Sequence, residues 1–263
     1  MKDRVVVITG ASAGIGAALA ERIGKRGARV VLVARREPEL AEVARRAGAE
    51  ALPVVADVTR RQDVQRVLDT ALARFGGVDV WINNAGRGIS RVVSELTDAD
   101  FDEMMLVNVK SVLYGMQVVL PHFRARGRGH IINISSMLGR VPFAPIRSAY
   151  AAAKHAVNAL SANLRVELRT TDPGIHVSVV HPGIVATEFG LRALHGGPDS
   201  RQLPNAQSPE AVADVIAGVI DHPRADVYTF PGAQKLVAGY FAAEDMAAFE
   251  AQSPFGGPPP RRS

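Results

Sequence analysis

The amino-acid sequence predicts an α/β protein with a doubly wound parallel sheet in a single domain. Short runs of β-branched residues alternate with Ala-, Leu- and Arg-rich stretches through most of the 263 residues. Several β-branched runs are apolar at almost every position, such as residues 5–8 and 30–33, which is typical of parallel strands covered on both faces. No linker interrupts the alternation, so one open sheet with helices on both faces accounts for it.

The predicted elements follow this alternation in chain order. The β-branched runs predict strands at residues 4–9, 29–34, 51–55, 78–82, 130–135, 176–180 and 226–229. The stretches between them predict helices near residues 15–26, 38–47, 61–75, 98–126, 148–171 and 209–221. Two segments break the pattern. Residues 187–208 are too long and too rich in Gly, Pro, Asn and Gln for an ordinary strand-to-helix connection. Residues 253–263 form a low-complexity tail that we expect to be disordered, so the domain is assigned to residues 1–252.

The composition argues against several classes of function. The net charge of +5 comes from arginines scattered beside acidic residues, and only 5% of residues are aromatic, which does not favour nucleic-acid binding. The absence of cysteine excludes disulfides and thiolate metal sites, and the histidines follow no metal-ligand spacing. No apolar stretch approaches the ~20 residues that span a bilayer, and the N-terminus lacks signal-peptide features. We therefore expect a soluble, cytoplasmic protein without membrane contact or a metal site.

A glycine-rich loop follows the first predicted strand and opens the first predicted helix. Its cofactor-contact candidates are Gly10, Ser12, Gly14, Ile15 and Gly16. Glycines let the backbone approach a pyrophosphate closely, and the charge of a pyrophosphate suits a helix N-terminus. The strand–loop–helix context therefore predicts a dinucleotide-binding site.

The second predicted strand ends in Arg35 and Arg36, where many NAD-binding proteins carry an acid for the ribose 2′-hydroxyl. No acid is present here, and a guanidinium can instead pair with a 2′-phosphate. We therefore expect NADP (NADPH) in preference to NAD, with Ser12 adding a hydrogen bond to a phosphate. The alternative is that both arginines simply begin the next helix at the surface.

Polar residues follow the third and fourth predicted strands at the same edge of the sheet. Asp57 and Val58 follow strand three, where they can contact adenine, although Asp57 also suits a helix cap. Asn84, Ala85 and Gly86 follow strand four in a sequence that also suits a turn. Ligands bind at the carboxyl ends of strands in open α/β sheets, so we expect these residues to contact the cofactor.

The sixth predicted strand is followed by a turn at the same edge. Its cofactor-contact candidates are Pro182, Gly183, Val185 and Thr187. A Pro-Gly pair can be ordinary turn punctuation. Its position just before the irregular residues 187–208 favours contact with cofactor and substrate.

The fifth predicted strand ends in Ser135 and Ser136. A hydroxyl at this edge can hydrogen-bond a substrate oxygen. No Gly-x-Ser-x-Gly elbow is present, so we do not expect covalent hydrolase chemistry.

Tyr150 and Lys154 are four residues apart on a predicted helix and therefore share one face of it. The ordinary pKa of a tyrosine hydroxyl is ~10. A neighbouring cation favours the phenolate and can bring that pKa toward neutral pH. The pair is thus a candidate acid/base device. The same spacing also fits an ordinary helix with a packed tyrosine and a solvated lysine.

Together these motifs resemble the short-chain dehydrogenase/reductase family. The matching elements occur in the family's order across residues 4–230, and they are residues 9–16, Asp57, residues 83–86, Asn108, Ser136, Tyr150, Lys154 and residues 182–187. The resemblance implies a Rossmann-like sheet of about seven strands in the order 3-2-1-4-5-6-7. It also implies a catalytic tetrad of Asn108, Ser136, Tyr150 and Lys154.

Each residue of this tetrad has a defined role in that family, and the resemblance implies the same roles in this sequence. Tyr150 would exchange a proton with the carbonyl oxygen while hydride passes between the nicotinamide and the carbonyl carbon. Lys154 would bind the nicotinamide ribose and lower the tyrosine pKa. Ser136 would orient the oxygen, and Asn108 would hold a water in a proton relay.

Two departures from the family pattern stand out. The gap between Ser136 and Tyr150 is one residue longer than is usual, which a loop accommodates. Ala13 stands where many NADP-preferring members carry a basic residue, so the expected NADP preference depends on Arg35 with help from Arg36.

The sequence as a whole predicts an NADP(H)-dependent oxidoreductase that interconverts a carbonyl and a secondary alcohol. Residues 187–208 would form a lid, and apolar residues in this lid and after Ser136 predict a hydrophobic small-molecule substrate. Residues 98–126 and 148–171, which pair subunits in the family, predict a homodimer or homotetramer. Two alternatives remain open: a dinucleotide-binding sensor or scaffold without turnover, and an epimerase or dehydratase that uses the same cofactor.

Overall fold

Seven parallel strands form the central sheet. In the computed structural model, which describes residues 1–251, they are β1 (Val5–Thr9), β2 (Arg29–Ala34), β3 (Ala51–Val55), β4 (Val80–Asn83), β5 (Gly129–Ile134), β6 (Ile175–His181) and β7 (Asp226–Tyr228). Their order is β3-β2-β1-β4-β5-β6-β7, and all neighbouring pairs are parallel. The predicted single-domain α/β fold is confirmed, and each predicted strand agrees with the observed one to within two residues.

Helices cover both faces of this sheet. They are α1 (Gly14–Gly24), α2 (Glu37–Ala47), α3 (Arg61–Phe75), α4 (Asp98–Met105), α5 (Ser111–Arg126), α6 (Ser148–Thr171), α7 (Pro209–Asp221), α8 (Ala233–Ala242) and α9 (Met246–Ala251). β1 sends Val6 and Ile8 into the core beneath α1, α2 and α7. It sends Val5 and Val7 into the core beneath α3 and α5. Burial on both faces explains why the strands are continuously apolar in the sequence.

The helix predicted over residues 98–126 is divided into two. α4 ends at Met105, a π-helical turn spans Leu106–Lys110, and α5 begins at Ser111. A single π turn inside a helical run frequently marks a functional site. This turn contains the fully buried Asn108.

The helical run Asp98–Arg126 also has the length and composition of a membrane-spanning helix. Among residues 1–251, Asp98–Arg126 is the one helical run long and apolar enough to cross a bilayer, so the expectation that no stretch reaches this length is wrong. Half of its most apolar window is buried inside the fold. Its buried residues include Val112, Met116 and Phe123, which belong to the core beneath the sheet, as in the core helix of a soluble protein.

Two helices that the sequence pattern did not predict follow β7. Tyr240 of α8 and Phe249 of α9 pack against Phe143, which lies in the loop between β5 and α6. The C-terminal helices thereby buttress the loop that begins at Ser136. The tail predicted to be disordered, residues 253–263, lies outside the described residues.

Candidate active site

A continuous cleft of about 1650 Å³ opens at the carboxyl edge of the sheet. It runs from the glycine-rich loop, past the ends of β2 and β3, to the loop after β5 and the segment 187–208. All but two of the predicted site residues line it. The exceptions are Gly16 and Asn108, which lie behind the lining. The chain topology therefore gathers motifs that are far apart in the sequence at one edge, as doubly wound sheets do.

The glycine-rich loop has the shape that a pyrophosphate requires. Gly10 and Gly14 have φ of 67° and 55°, a region that favours glycine. A Cβ on Gly16 would lie 2.4 Å from the carbonyl oxygen of Gly10, and one on Gly10 would lie 2.8 Å from Cα of Ala85. No side chain caps the start of α1, so its first N–H groups are available to an anion. The loop therefore fits a dinucleotide cofactor.

Thr9, the last residue of β1, and Asn84, which follows the neighbouring strand β4, hold this loop in place. The Asn84 side-chain amide donates to the carbonyl oxygens of Thr9 and Gly10, at 2.9 and 3.2 Å. The Thr9 hydroxyl oxygen accepts from the backbone N–H groups of Asn84 and Ala85, at 2.9 and 3.0 Å. The Asn84 side chain thus braces the loop, and Thr9 is a supporting residue that sequence reasoning did not single out.

The two arginines at the end of β2 differ in their partners. Arg36 forms an ion pair with Glu39 at 2.7 Å and donates to the Ser12 hydroxyl at 3.0 Å. Arg35 is exposed at the cleft and has no ion-pair partner among residues 1–251. Arg35 therefore has the free guanidinium of the two, while Arg36 orients Ser12.

Asp57 shapes the turn that follows β3. Its Oδ1 accepts from the backbone N–H and the hydroxyl of Thr59, at 3.0 and 2.8 Å. Its own N–H donates to the Asp63 carboxylate at 2.8 Å. Asp57 does not cap α3, which begins after Arg60. This turn presents Asp57 and Val58 to the cleft.

Tyr150 and Lys154 lie one turn apart on α6 and are both buried. The Lys154 ammonium donates to the carbonyl oxygen of Ile134 at 2.9 Å and lies 5.6 Å from the centroid of the Tyr150 ring. The Ser136 hydroxyl accepts from the backbone N–H of Leu138 at 3.1 Å, and it lies near enough to Tyr150 to lower the pKa of that phenol. Ser135 is a supporting residue, since its hydroxyl contacts the backbone oxygen of Lys154 at 3.4 Å.

Burial dominates the protonation of this pair. It raises the pKa of Tyr150 to about 12, against the opposing effects of the Ser136 hydrogen bond and the charge of Arg147. It lowers the pKa of Lys154 to about 8, because the charged ammonium is desolvated. The expectation that Lys154 lowers the tyrosine pKa is not met here. Tyr150 is a neutral phenol at pH 7, which is the form that donates a proton.

Asn108 is fully satisfied at the centre of the π turn. Its Oδ1 accepts from the backbone N–H of Arg87 at 3.1 Å, and its Nδ2 donates to the carbonyl oxygens of Arg87 and Met104, at 3.0 and 3.1 Å. A Cβ on Gly86 would lie 2.9 Å from the Asn108 Oδ1 and 3.6 Å from the Lys154 Nζ. Asn108 and Lys154 therefore border the same small space beneath Gly86.

His181 supports the serine from below. Its Nδ1 lies 3.4 Å from the backbone oxygen of Ser136, and its Nε2 lies 3.0 Å from the Asp226 carboxylate. The backbone N–H of Met137 also donates to the oxygen of Pro182 at 2.8 Å. Strand β6 therefore positions the backbone around Ser136. No residue spacing in the sequence could have identified this role of His181.

Residues of the segment 187–208 line the cleft beside Tyr150. The Phe189 ring packs edge-on against Tyr150, with centroids 5.5 Å apart. Leu194 pairs with Ile89 in an isolated bridge, and its N–H donates to the Gly88 oxygen at 2.8 Å. Val185 pairs with Gln207 at the base of the segment. The segment is thus tied down at its base and at its middle.

Three comparisons with known proteins agree with this geometry. A family model described as short chain dehydrogenase matches residues 4–194. The chain is 37% identical over 229 residues to an uncharacterized oxidoreductase of Staphylococcus saprophyticus, a match that covers 85% of this chain and 92% of that protein. It is 36% identical over 236 residues to an uncharacterized oxidoreductase of Bacillus subtilis, covering 87% of this chain and 65% of that protein.

Solved structures of the same fold contain nicotinamide cofactors. One is a short chain dehydrogenase/reductase from Burkholderia phymatum in complex with NAD, with a TM-score of 0.83, 29% identity and 98% of each chain covered. Another is a closed form of serine dehydrogenase complexed with NADP+, with a TM-score of 0.79, 29% identity and coverage of 85% of this chain and 93% of that one. The protein belongs to the short-chain dehydrogenase/reductase family. It is accordingly an oxidoreductase with a nicotinamide dinucleotide cofactor and a small-molecule substrate.

Proposed function

We propose that the protein is an NADP(H)-dependent oxidoreductase that interconverts a carbonyl compound and a secondary alcohol. The observation that carries the proposal is the buried group of Tyr150, Lys154 and Ser136 at the end of β5, open to the same cleft as the glycine-rich loop. A phenol with a pKa of about 12 is a proton donor at neutral pH. A serine hydroxyl beside it can hold the substrate oxygen.

Each residue has a task in this reaction. The cofactor, when bound, supplies or accepts the hydride. Ser136 holds the substrate oxygen by a hydrogen bond, and Tyr150 donates its proton to that oxygen in reduction or accepts it back in oxidation. Burial of both side chains excludes water from the proton transfer.

The cofactor site follows from the residues along the cleft. Gly10, Gly14 and Ile15 would hold the pyrophosphate at the start of α1. Two N–H groups of the Lys154 ammonium remain after its bond to Ile134, and these would hold the nicotinamide ribose. Asp57 and Val58 would contact adenine, and Asn108 would hold a water next to Lys154.

Further contacts come from both ends of the cofactor cradle. Ala85 and Gly86 would border the ribose from the end of β4. The nicotinamide end would be contacted by Pro182, Gly183, Val185 and Thr187. Thr187 lies close to the glycine-rich loop, since a Cβ on Gly14 would lie 3.1 Å from its Cγ2.

The preference for NADP depends on Arg35. This side chain is exposed at the cleft without an ion-pair partner among residues 1–251, so its fork of N–H donors can bind a 2′-phosphate. Similar solved structures contain NAD in one case and NADP+ in another, so the family alone does not decide between them.

The substrate half of the cleft is mainly apolar. Leu138, Phe189 and Leu203 line it, which favours a substrate with a hydrocarbon part. We propose that the segment 187–208 acts as a lid that encloses the substrate. One of the similar structures is named a serine dehydrogenase.

The assembly and location follow from the same family likeness. Ala159 and Val166 are exposed on α6, and small or apolar residues there permit a second copy to approach closely, which supports a homodimer or homotetramer. A monomeric mass in light scattering would contradict this. The absence of cysteine supports a reducing, cytoplasmic environment.

The decisive experiment measures turnover with both cofactors. Purified protein is mixed with NADPH or NADH and a panel of ketones and aldehydes, and with NADP+ or NAD+ and a panel of alcohols. We expect net consumption of NADPH with at least one carbonyl. Cofactor binding without consumption on the whole panel would contradict the proposal and favour a sensor. Conversion of substrate without net consumption would indicate an epimerase or dehydratase.

A further inference from the structure

Six arginines line the cleft, and their partners divide them into two groups. They are Arg35, Arg36, Arg87, Arg147, Arg192 and Arg201. Four form ion pairs with carboxylates of the protein itself: Arg36, Arg87, Arg192 and Arg201. Among residues 1–251, Arg35 and Arg147 have no such partner. Arg35 lies in the cofactor half, so Arg147 is the arginine of the substrate half that has no carboxylate partner among residues 1–251.

Arg147 lies next to the proton donor. It immediately precedes α6, and Tyr150 follows it by three residues, so the two side chains share a face of the helix start. The charge of Arg147 acts on Tyr150 and opposes the rise in the tyrosine pKa. In the part of the chain that the structure describes, the guanidinium makes one hydrogen bond, from Nη1 to the carbonyl oxygen of Ile89 at 3.0 Å.

The Arg147 guanidinium is partly removed from water and has no counter-charge among residues 1–251. Burial lowers the pKa of Arg147, although a guanidinium remains protonated in proteins. A desolvated charge is normally paired, and breaking such a pair is strongly destabilising. Within the described residues 1–251, one backbone oxygen accepts from the guanidinium, so most of the five N–H donors of Arg147 have no acceptor there.

The guanidinium packs closely against two glycines, in room that a larger residue would fill. A Cβ on Gly88 would lie 3.1 Å from Nη1, and a Cβ on Gly197 would lie 3.1 Å from Nη2. The same Cβ on Gly197 would lie 2.7 Å from the Ser90 hydroxyl, which is buried and has no hydrogen-bond partner among residues 1–251. Two glycines and a second unpartnered polar group therefore surround Arg147.

We propose that Arg147 binds a carboxylate of the substrate, so that the substrates are oxo acids and the corresponding hydroxy acids. The inference rests on the proposed function and adds a substrate class to it. A guanidinium fork matches a carboxylate in two parallel hydrogen bonds. One uncompensated cation balances one negative charge, whereas a phosphate brings nearly two. The apolar neighbours Phe189 and Leu203 then contact the hydrocarbon part.

The reaction itself is unchanged by this contact. The bound cofactor would supply the hydride to the carbonyl carbon, Tyr150 would give its proton to the carbonyl oxygen, and the carboxylate would stay ionised throughout. Arg147 and Tyr150 line the same cleft, so one small molecule can present its carboxylate to the first and its carbonyl to the second.

The test compares acids with their neutral esters. The probes are 2-, 3- and 4-oxo acids of increasing chain length and the methyl ester of each, assayed with NADPH. We expect the wild type to favour the best acid over its ester by about 10- to 100-fold in kcat/KM, as a charge-assisted contact gives. Arg147→Gln should lose that ratio while ester turnover remains, and Arg147→Lys should keep part of it. Arg192→Gln is the control, because Arg192 is already paired with Glu188, and it should leave the ratio of acid to ester kcat/KM unchanged.

Other outcomes would overturn the inference. If Arg147→Gln lowered kcat/KM equally for acids and for esters, Arg147 would have a structural role through its bond to Ile89. An equal shift of the pH profile for both probes would indicate that Arg147 only tunes Tyr150. Calorimetric titration of each probe onto the NADPH complex separates the inference from the proposed function. Acid binding that Arg147→Gln abolishes supports Arg147 even if no probe is reduced, and acids that bind no better than esters contradict it.

Discussion

The Lys154 ammonium donates to the carbonyl oxygen of Ile134 at 2.9 Å. Ile134 is the last residue of β5, and Ser136 follows two residues later. This single bond therefore joins the helix that carries Tyr150 to the strand that carries the serine. It also holds the ammonium in a buried position, which is the physical reason that its pKa falls to about 8.

Tyr150→Phe tests the proton donor. We expect kcat/KM for carbonyl reduction to fall by about 10²- to 10⁴-fold, since the proton can no longer be supplied from a positioned group. The phenyl ring keeps the contact with Phe189, whose centroid lies 5.5 Å away, so folding and NADPH affinity should change little. Steady-state kinetics and cofactor titration measure both quantities.

The matched control is Tyr114→Phe on α5. The Tyr114 ring packs under the Arg61 guanidinium at 5.6 Å, and the residue does not line the cleft. We expect this variant to retain activity. A Tyr150→Phe protein as active as Tyr114→Phe would contradict the proposed mechanism.

The buried Lys154 predicts a pH-dependent stability. Its pKa falls from 10.5 to about 8 on folding, so between those values the unfolded chain binds more protons than the folded one. The free energy of unfolding therefore contains a contribution that rises with pH over this window, and below pH 8 the full penalty of burying the charge is present.

Lys154→Met removes this contribution. Relative to wild type, the variant should lose on the order of 2–3 kcal/mol of unfolding free energy as the pH is raised from about 7 to about 10. Tyr150 acts in the opposite direction, but only above its ordinary value of 10.0, where the unfolded chain deprotonates first. Urea unfolding at several pH values measures the difference, and a constant gap between the two proteins would refute the assignment.

Arg35→Ala tests the cofactor preference. Arg35 has no ion-pair partner among residues 1–251, so its removal should weaken NADPH binding by about 10- to 100-fold and leave NADH binding unchanged. Arg36→Ala is the neighbouring control, because Arg36 is paired with Glu39 and Ser12. We expect a smaller effect from it. Dissociation constants follow from fluorescence titration, and an Arg35→Ala protein with unaltered NADPH affinity would show the preference to be wrong.

Gly16→Ala tests the close approach in the glycine-rich loop. The new Cβ would lie 2.4 Å from the carbonyl oxygen of Gly10, so the loop must move, at a cost of about 1–3 kcal/mol in unfolding free energy and a weaker affinity for the cofactor. Urea unfolding and cofactor titration measure the two effects.

Gly218→Ala is the matched control for the glycine test. Gly218 lies inside α7, and a Cβ there would meet nothing within 4 Å. It should stabilise the protein by about 0.5–1 kcal/mol, because alanine has the higher helix propensity. If both alanine variants changed stability in the same direction, the steric account of Gly16 would fail.

The sheet could be predicted from the sequence because parallel strands buried on both faces leave an unmistakable run of apolar residues. The glycine-rich loop and the residues after β4 and β6 could be predicted for a related reason, since all strands of such a sheet end at one edge. The π turn at Asn108 could not be predicted from the sequence, because the periodicity of an apolar helix does not reveal one extra residue in a turn. α8 and α9 were also missed, although they pack on Phe143.

By itself, therefore, the sequence determined the fold class, the family and the set of residues gathered at one edge of the sheet. These depend on local patterns and on the order of motifs along the chain. Only the tertiary structure decided which of two adjacent arginines is free, that Asn84 braces the glycine-rich loop, and that Tyr150 is a neutral phenol beside the uncompensated Arg147. Such properties depend on distances and burial between residues far apart in the chain, and no spacing within a sequence records them.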